Sequence, residues 1–103
     1  MLEHLTYETF AGHEGETFQV SREDGPPLDV VLTEVATIHL EGWRLEGTRP
    51  ARQPFTLLFV GTPDVVLPQR IYRFEHADIG AFEMLIVPVG RDAQGTSYEA
   101  VFT

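Results

Sequence analysis

His13-Glu14-Gly15-Glu16 and His76-Ala77-Asp78 are the stretches of this sequence whose residue types hold metal ions or move protons. Together with Glu3-His4 they offer imidazole and carboxylate donors suited to zinc or a harder ion, if the fold gathers them. Their spacing argues against a site. A metalloprotease helix needs a second histidine four residues after the first, and Thr17 stands there. Short side chains on separate turns are expected to stay apart, so the sequence leads us to expect no metal and no cofactor.

Other chemistries find less. There is no cysteine, and the serines Ser21 and Ser97 lie in no G-x-S-x-G elbow, so a covalent nucleophile lacks support. Neither G-x-G-x-x-G nor G-x-x-x-x-G-K-[ST] occurs. Glu75 and Glu83 are read as facing one another, which is weak evidence for acid–base catalysis in so acidic a chain. His39 reads as a half-buried structural histidine, and His76 as a turn residue bonded to the Asp78 backbone. No catalytic residue is assigned. Trp43, the single tryptophan, stands beside Arg44. Two uses fit it equally: an interface anchor, or a plug for the end of a barrel.

The elements that must position these residues are strands. Gln69–Gly90 reads as a β-hairpin with Tyr72 and Phe74 on one strand and Phe82, Met84 and Ile86 on the other, alternating with polar neighbours. A three-residue loop of Asp78, Ile79 and Gly80 pairs Phe74 with Met84 and Tyr72 with Ile86. It gives Gly80 the left-handed loop position. Three further strands precede the hairpin. The first is Glu16–Arg22. The second, Leu28–Leu40, changes phase near Val35, the sign of a bulge or barrel corner. The third is Pro54–Val60. The turns are expected at Glu23–Pro27, Gly61–Asp64 and Arg91–Gly95, with a sixth strand over Ser97–Thr103. Pro88 cannot donate to a ladder and is expected to cost the fifth strand a neighbour. Leu5–Phe10 reads as a short helix capped by Thr6, with Gly12 or Gly15 ending it. The sum is one all-β domain over 1–103: a six-stranded small barrel or sandwich with one short N-terminal helix.

Charge and composition narrow the partners. The 103 residues carry a net charge of −9, with all seven basic residues arginine. The acids crowd into the first third of the chain. Phosphate recognition needs clustered positive charge, so nucleic acid is excluded, and anionic membrane surfaces are disfavoured. No apolar run approaches the roughly 20 residues of a membrane span. The lack of cysteine fits a reducing cytoplasm, where the protein is expected.

Arg52-Gln53-Pro54-Phe55, the Leu67-Pro68-Gln69 approach to Tyr72, the His76–Gly80 turn, Val87-Pro88-Val89-Gly90 and Tyr98-Glu99-Ala100-Val101-Phe102 carry a resemblance. They are similar to a family of short, uncharacterised bacterial proteins, over nearly the whole length, including Leu5–Phe10 and Gly15-Glu16-Thr17-Phe18. The resemblance implies an all-β domain whose genes sometimes lie near phage-tail-like proteins of the tail-collar type. It brings no catalytic or binding residues with it.

The expected function is a non-enzymatic structural or protein-interaction module, an accessory piece of a phage-tail-like bacterial assembly. Its partner is expected to be protein, its own copy in a homo-oligomer or another subunit. Trp43 and Arg44 form one expected contact surface. The other is Val101, on a final strand read as an open sheet edge. The alternative is a small-ligand-binding or enzymatic barrel with a pocket beside the loop of residues 41–53.

Overall fold

The structure is a computed structural model and describes residues 5–23, 25–38 and 54–102. A one-turn helix, α1 (Tyr7–Phe10), leads into six strands: β1 (Thr17–Arg22), β2 (Gly25–Thr37), β3 (Phe55–Gly61), β4 (Arg70–His76), β5 (Gly80–Asp92) and β6 (Gly95–Phe102). All pairings are antiparallel, and the order β1-β2-β3-β6-β5-β4 closes into a barrel by pairing β4 with β1.

Alternation explains the closure. On β4 the pattern buries Tyr72, Phe74 and His76; on β5 it buries Phe82, Met84 and Ile86; on β3, Phe55, Leu57 and Phe59. A sheet with one apolar face hides it by curling upon itself. The change of phase read near Val35 is a register shift between Leu32 and Glu34, which leaves Thr33 as the extra residue. A second shift lies between Val20 and Arg22, and a third between Pro88 and Gly90. Bulges of this kind bend strands around a small barrel.

The interior is aromatic. Phe55 and Phe102 stack at 4.6 Å and Phe74 and Phe82 at 5.6 Å. Phe10, fully buried, touches the rings of Phe18, Phe55, Phe82 and Phe102 and so plugs one end of the barrel. That contact gives a four-residue helix its stability, since one turn cannot hold itself. The helix has the Thr6 cap expected, with Thr9 Oγ1 accepting from Thr6 N at 3.0 Å, and Gly12 turns the chain at φ +89°. It runs a single turn, Tyr7–Phe10. Away from Phe10, Leu67 N donates to Tyr98 Oη at 3.0 Å, pinning residues 65–68 across the barrel.

Four expectations need correcting. The hairpin pairs His76 with Gly80 and Phe74 with Phe82, so Tyr72 faces Met84, not Ile86. The loop is Ala77–Ile79, because His76 Nδ1 accepts the Asp78 and Ile79 amides at 3.1 and 3.2 Å and turns the chain around itself. The pairing moves by two residues, an even shift, so the buried faces survive. Glu83 consequently faces Arg73, not Glu75.

Second, Gly25–Pro27 begin β2 and Arg22 pairs with Gly25, so the turn is tighter than its composition implied. Third, Pro88 pairs with Tyr98, and the bulge beside it carries the ladder on to Asp92 and Gly95. Last, β6 has β3 on one side and β5 on the other, so Val101 lies on no open edge.

Phe74 is fully buried between Phe59 and Phe82. Phe74→Ala is expected to cost about 3–5 kcal/mol, a large part of the ~5–15 kcal/mol that holds a small domain folded. A denaturant midpoint equal to the parent's would show that this face is not the core.

Candidate functional site

The donors scattered in sequence are gathered by the closing seam. Phe10 N-terminal to β1 and the β4 terminus place His13, Glu16, His76 and Asp78 together, one donor atom from each lying within 4.8 Å of the others. Glu16 is held by its backbone, since Leu32 N donates to its carbonyl at 3.1 Å and Gly15 N donates to Leu32 O at 2.7 Å. Its Oε1 accepts from His13 Nδ1 at 2.8 Å and from His76 Nε2 at 2.6 Å. The His76 side chain is 4% exposed, against 43% for Glu16. The His76 ring packs on Phe18 at 4.5 Å and meets His13 edge-on at 5.0 Å. Hydrogen bonds from His13 first, and then from His76, hold the Glu16 carboxyl below the ordinary carboxylate range, against a smaller opposing effect of desolvation.

This set has the composition of a metal centre, but the tautomers do not fit one. His76 Nδ1 faces two backbone N–H groups, which can only donate, so it carries no proton. The neutral ring then has its proton on Nε2, pointing at Glu16. An ion on Nε2 needs the reverse, a bare Nε2 with Nδ1–H given to an acceptor, and an ion on Nδ1 would have to displace both amides. Seating an ion on His76 would break both turn amides or strip the ring to imidazolate. The arrangement is a carboxylate–histidine clasp that ties the start of β1 to the β4–β5 turn.

The other expected site residues are not brought to this place. Val101 lies on the outer wall, 56% exposed. Trp43 and Arg44, with His39 and the expected pocket beside residues 41–53, lie outside the described residues, as do Glu3 and His4. Glu14 instead caps the turn through Gly12 N, at 2.9 Å.

A feature the sequence reading missed lies at the far end of the same seam. The β1–β4 ladder consists of Gln19↔Glu75 and Val20↔Phe74, and no further pair joins these two strands on the Arg22 side. Beyond it lies an open groove of about 610 Å³, lined by Ser21 and Arg22 on one side and by Arg70, Ile71 and Arg73 on the other. The signal for it was faint: three arginines with no shared motif.

Fold and site define a class: a closed six-stranded antiparallel barrel with an aromatic core and a clasped seam. A family model, the domain of unknown function DUF6916, matches residues 5–102, and the chain belongs to that family. No curated protein and no solved structure matches it.

Two outcomes test the clasp. A carboxyl with a lowered folded pKa adds stability above its unfolded value, near 4.5, and that stability is lost as pH falls through the folded value. Glu16→Gln keeps an acceptor oxygen but cannot titrate, so its urea midpoint should fall less on acidification than the parent's. Melting temperatures with zinc, calcium or EDTA should coincide, since an ion stabilises only by binding the native state. A reproducible rise with one ion would show that the His76 ring can release its amides.

Proposed function

We propose that the domain is a non-enzymatic structural or protein-interaction module, joining its own copy or another subunit. One observation carries this: the barrel interior is filled with side chains, while large apolar residues stand on its outer wall. Among the described residues no buried side-chain nitrogen or oxygen lacks a hydrogen-bond partner, so no polar group waits inside for a ligand. Outside, Ile71 is 62% exposed and Leu85, its cross-strand neighbour, 46%. Val101 occupies the next outward position on β6 beyond the Val87↔Glu99 pair. Apolar side chains grouped on an outer wall mark association surfaces.

Trp43 and Arg44 remain the second proposed contact. No helix of the described residues is long and apolar enough to cross a membrane. The cytoplasm is the proposed location, and a chain built without cysteine is in keeping with it. An accessory position in a phage-tail-like bacterial assembly, which the family resemblance implies, would use such a module.

Light scattering at tens of micromolar tests the reading. The parent should self-associate, and Leu85→Arg, Val101→Arg or Trp43→Ala should weaken that association while leaving thermal stability near the parent's. A strictly monomeric parent whose capture of protein from a native extract is weakened by none of these changes would remove the module reading and favour a ligand-binding barrel.

A further inference from the structure

Resting on the interaction-module reading, we infer that the outer wall of β4 and β5 binds a second copy of this chain, about a two-fold axis that runs between the two strands and along them. The outward side chains of this wall come in cross-strand pairs: Ile71 with Leu85, Arg73 with Glu83 and Glu75 with Ala81, all six exposed. Apolar stands beside apolar, cation beside anion, and a long side chain beside a short one. An open hollow of about 470 Å³ lies on the wall, with Ile71, Arg73, Ala81, Glu83 and Leu85 among its lining. Symmetry turns these pairs into contacts between copies. A two-fold axis in the plane of a face-to-face contact sets each residue against the partner residue at its mirror position across the axis. An axis along β4 would put Arg73 on Arg73, and one along β5 would put Glu83 on Glu83. An axis across the strands would do both or, shifted to the level of Ile71 and Leu85, bury Glu83 against Val87. The axis between the strands sets Arg73 against the partner's Glu83 and Ile71 against the partner's Leu85, twice each.

Charge selects this occupant. A chain of net charge −9 repels its own copies, so a self-contact has to bring a cation to a carboxylate. Glu83 takes part in no ion pair among the described residues. Its cross-strand neighbour Arg73 turns instead to Glu75, at 3.7 Å, with both side chains more than half exposed. That contact is too long for a hydrogen bond and is worth little in water. It exchanges readily for the partner's Glu83, which the apposed wall shields from solvent. The exposed Ile71 and Leu85 supply the apolar centre that such a contact needs.

The test uses the full chain in sedimentation velocity at tens of micromolar, with a thermal melt of every variant beside the parent's. The parent should dimerise. Arg73→Glu and Glu83→Arg should each raise the dissociation constant about tenfold or more, because two like-charge contacts replace two opposite ones. Mixing these two variants should restore dimers to within about threefold of the parent's affinity, since each chain then meets the charge it lacks. That recovery cannot arise within a chain, where like charges still face each other across β4 and β5. Ile71→Arg should weaken the dimer as strongly as Leu85→Arg. Mixed variants that stay monomeric, although each melts like the parent, would overturn the two-fold. Oligomers that Trp43→Ala disperses and Ile71→Arg does not would place the self-contact elsewhere, so the inference falls and the module reading stands. A monomeric parent that binds a different protein, released by Leu85→Arg, would overturn the second copy and assign the wall to a foreign subunit, again leaving the module reading in place.

Discussion

The barrel closes through a seam of two residue pairs, Gln19↔Glu75 and Val20↔Phe74. Every other strand boundary has a longer ladder, so the closed state depends most on what reinforces this one. The reinforcement is side-chain chemistry. Phe18 and His76 would be next in register, and their rings meet in place of a backbone pair. Beyond them Glu16 receives both histidines on one oxygen. A charged acceptor of this kind makes stronger hydrogen bonds than a neutral one.

His76 also links closure to turn geometry. One ring nitrogen shapes the β4–β5 turn and the other reaches Glu16, so the tautomer that makes the turn also makes the clasp. Phe10 works from a different direction. Its ring touches side chains of β1, β3, β5 and β6 and fills the space their tilt leaves at one end. Closure and filling support each other, because an unplugged barrel would leave Phe18 and Phe82 exposed to water.

Much of this was legible in the sequence, and the misses have physical causes. Period-two alternation identified the strands and the buried faces of Tyr72, Phe74, Phe82, Met84 and Ile86, because burial follows parity. Register failed because it was reasoned from Gly80 and backbone conformation alone. Gly80 does take a positive φ, +91°, but as the first residue of β5, since a side-chain acceptor on His76 competes for the turn amides. Pro88 was read as a gap in hydrogen bonding, when a neighbouring bulge absorbed the missing donor. The clasp residues were named from their types, yet Glu16 and His76 are 60 positions apart, and only closure makes them neighbours. The groove was invisible for the same reason: Ser21 and Arg22 are far in sequence from Arg70, Ile71 and Arg73, and only closure sets them on facing sides.

The two-pair ladder divides the seam into two halves with different physics. On the His76 side, ring packing and a shared carboxylate seal strands that have few backbone bonds. On the Arg70 side, the same two strands line an open groove. The Glu16 clasp is the interaction that keeps the opening from running the length of the barrel. Natural sheets usually cover or shorten their edges. Here closure gives each of the six strands a neighbour on both sides, and the shortest of those ladders is the one that side chains have to reinforce.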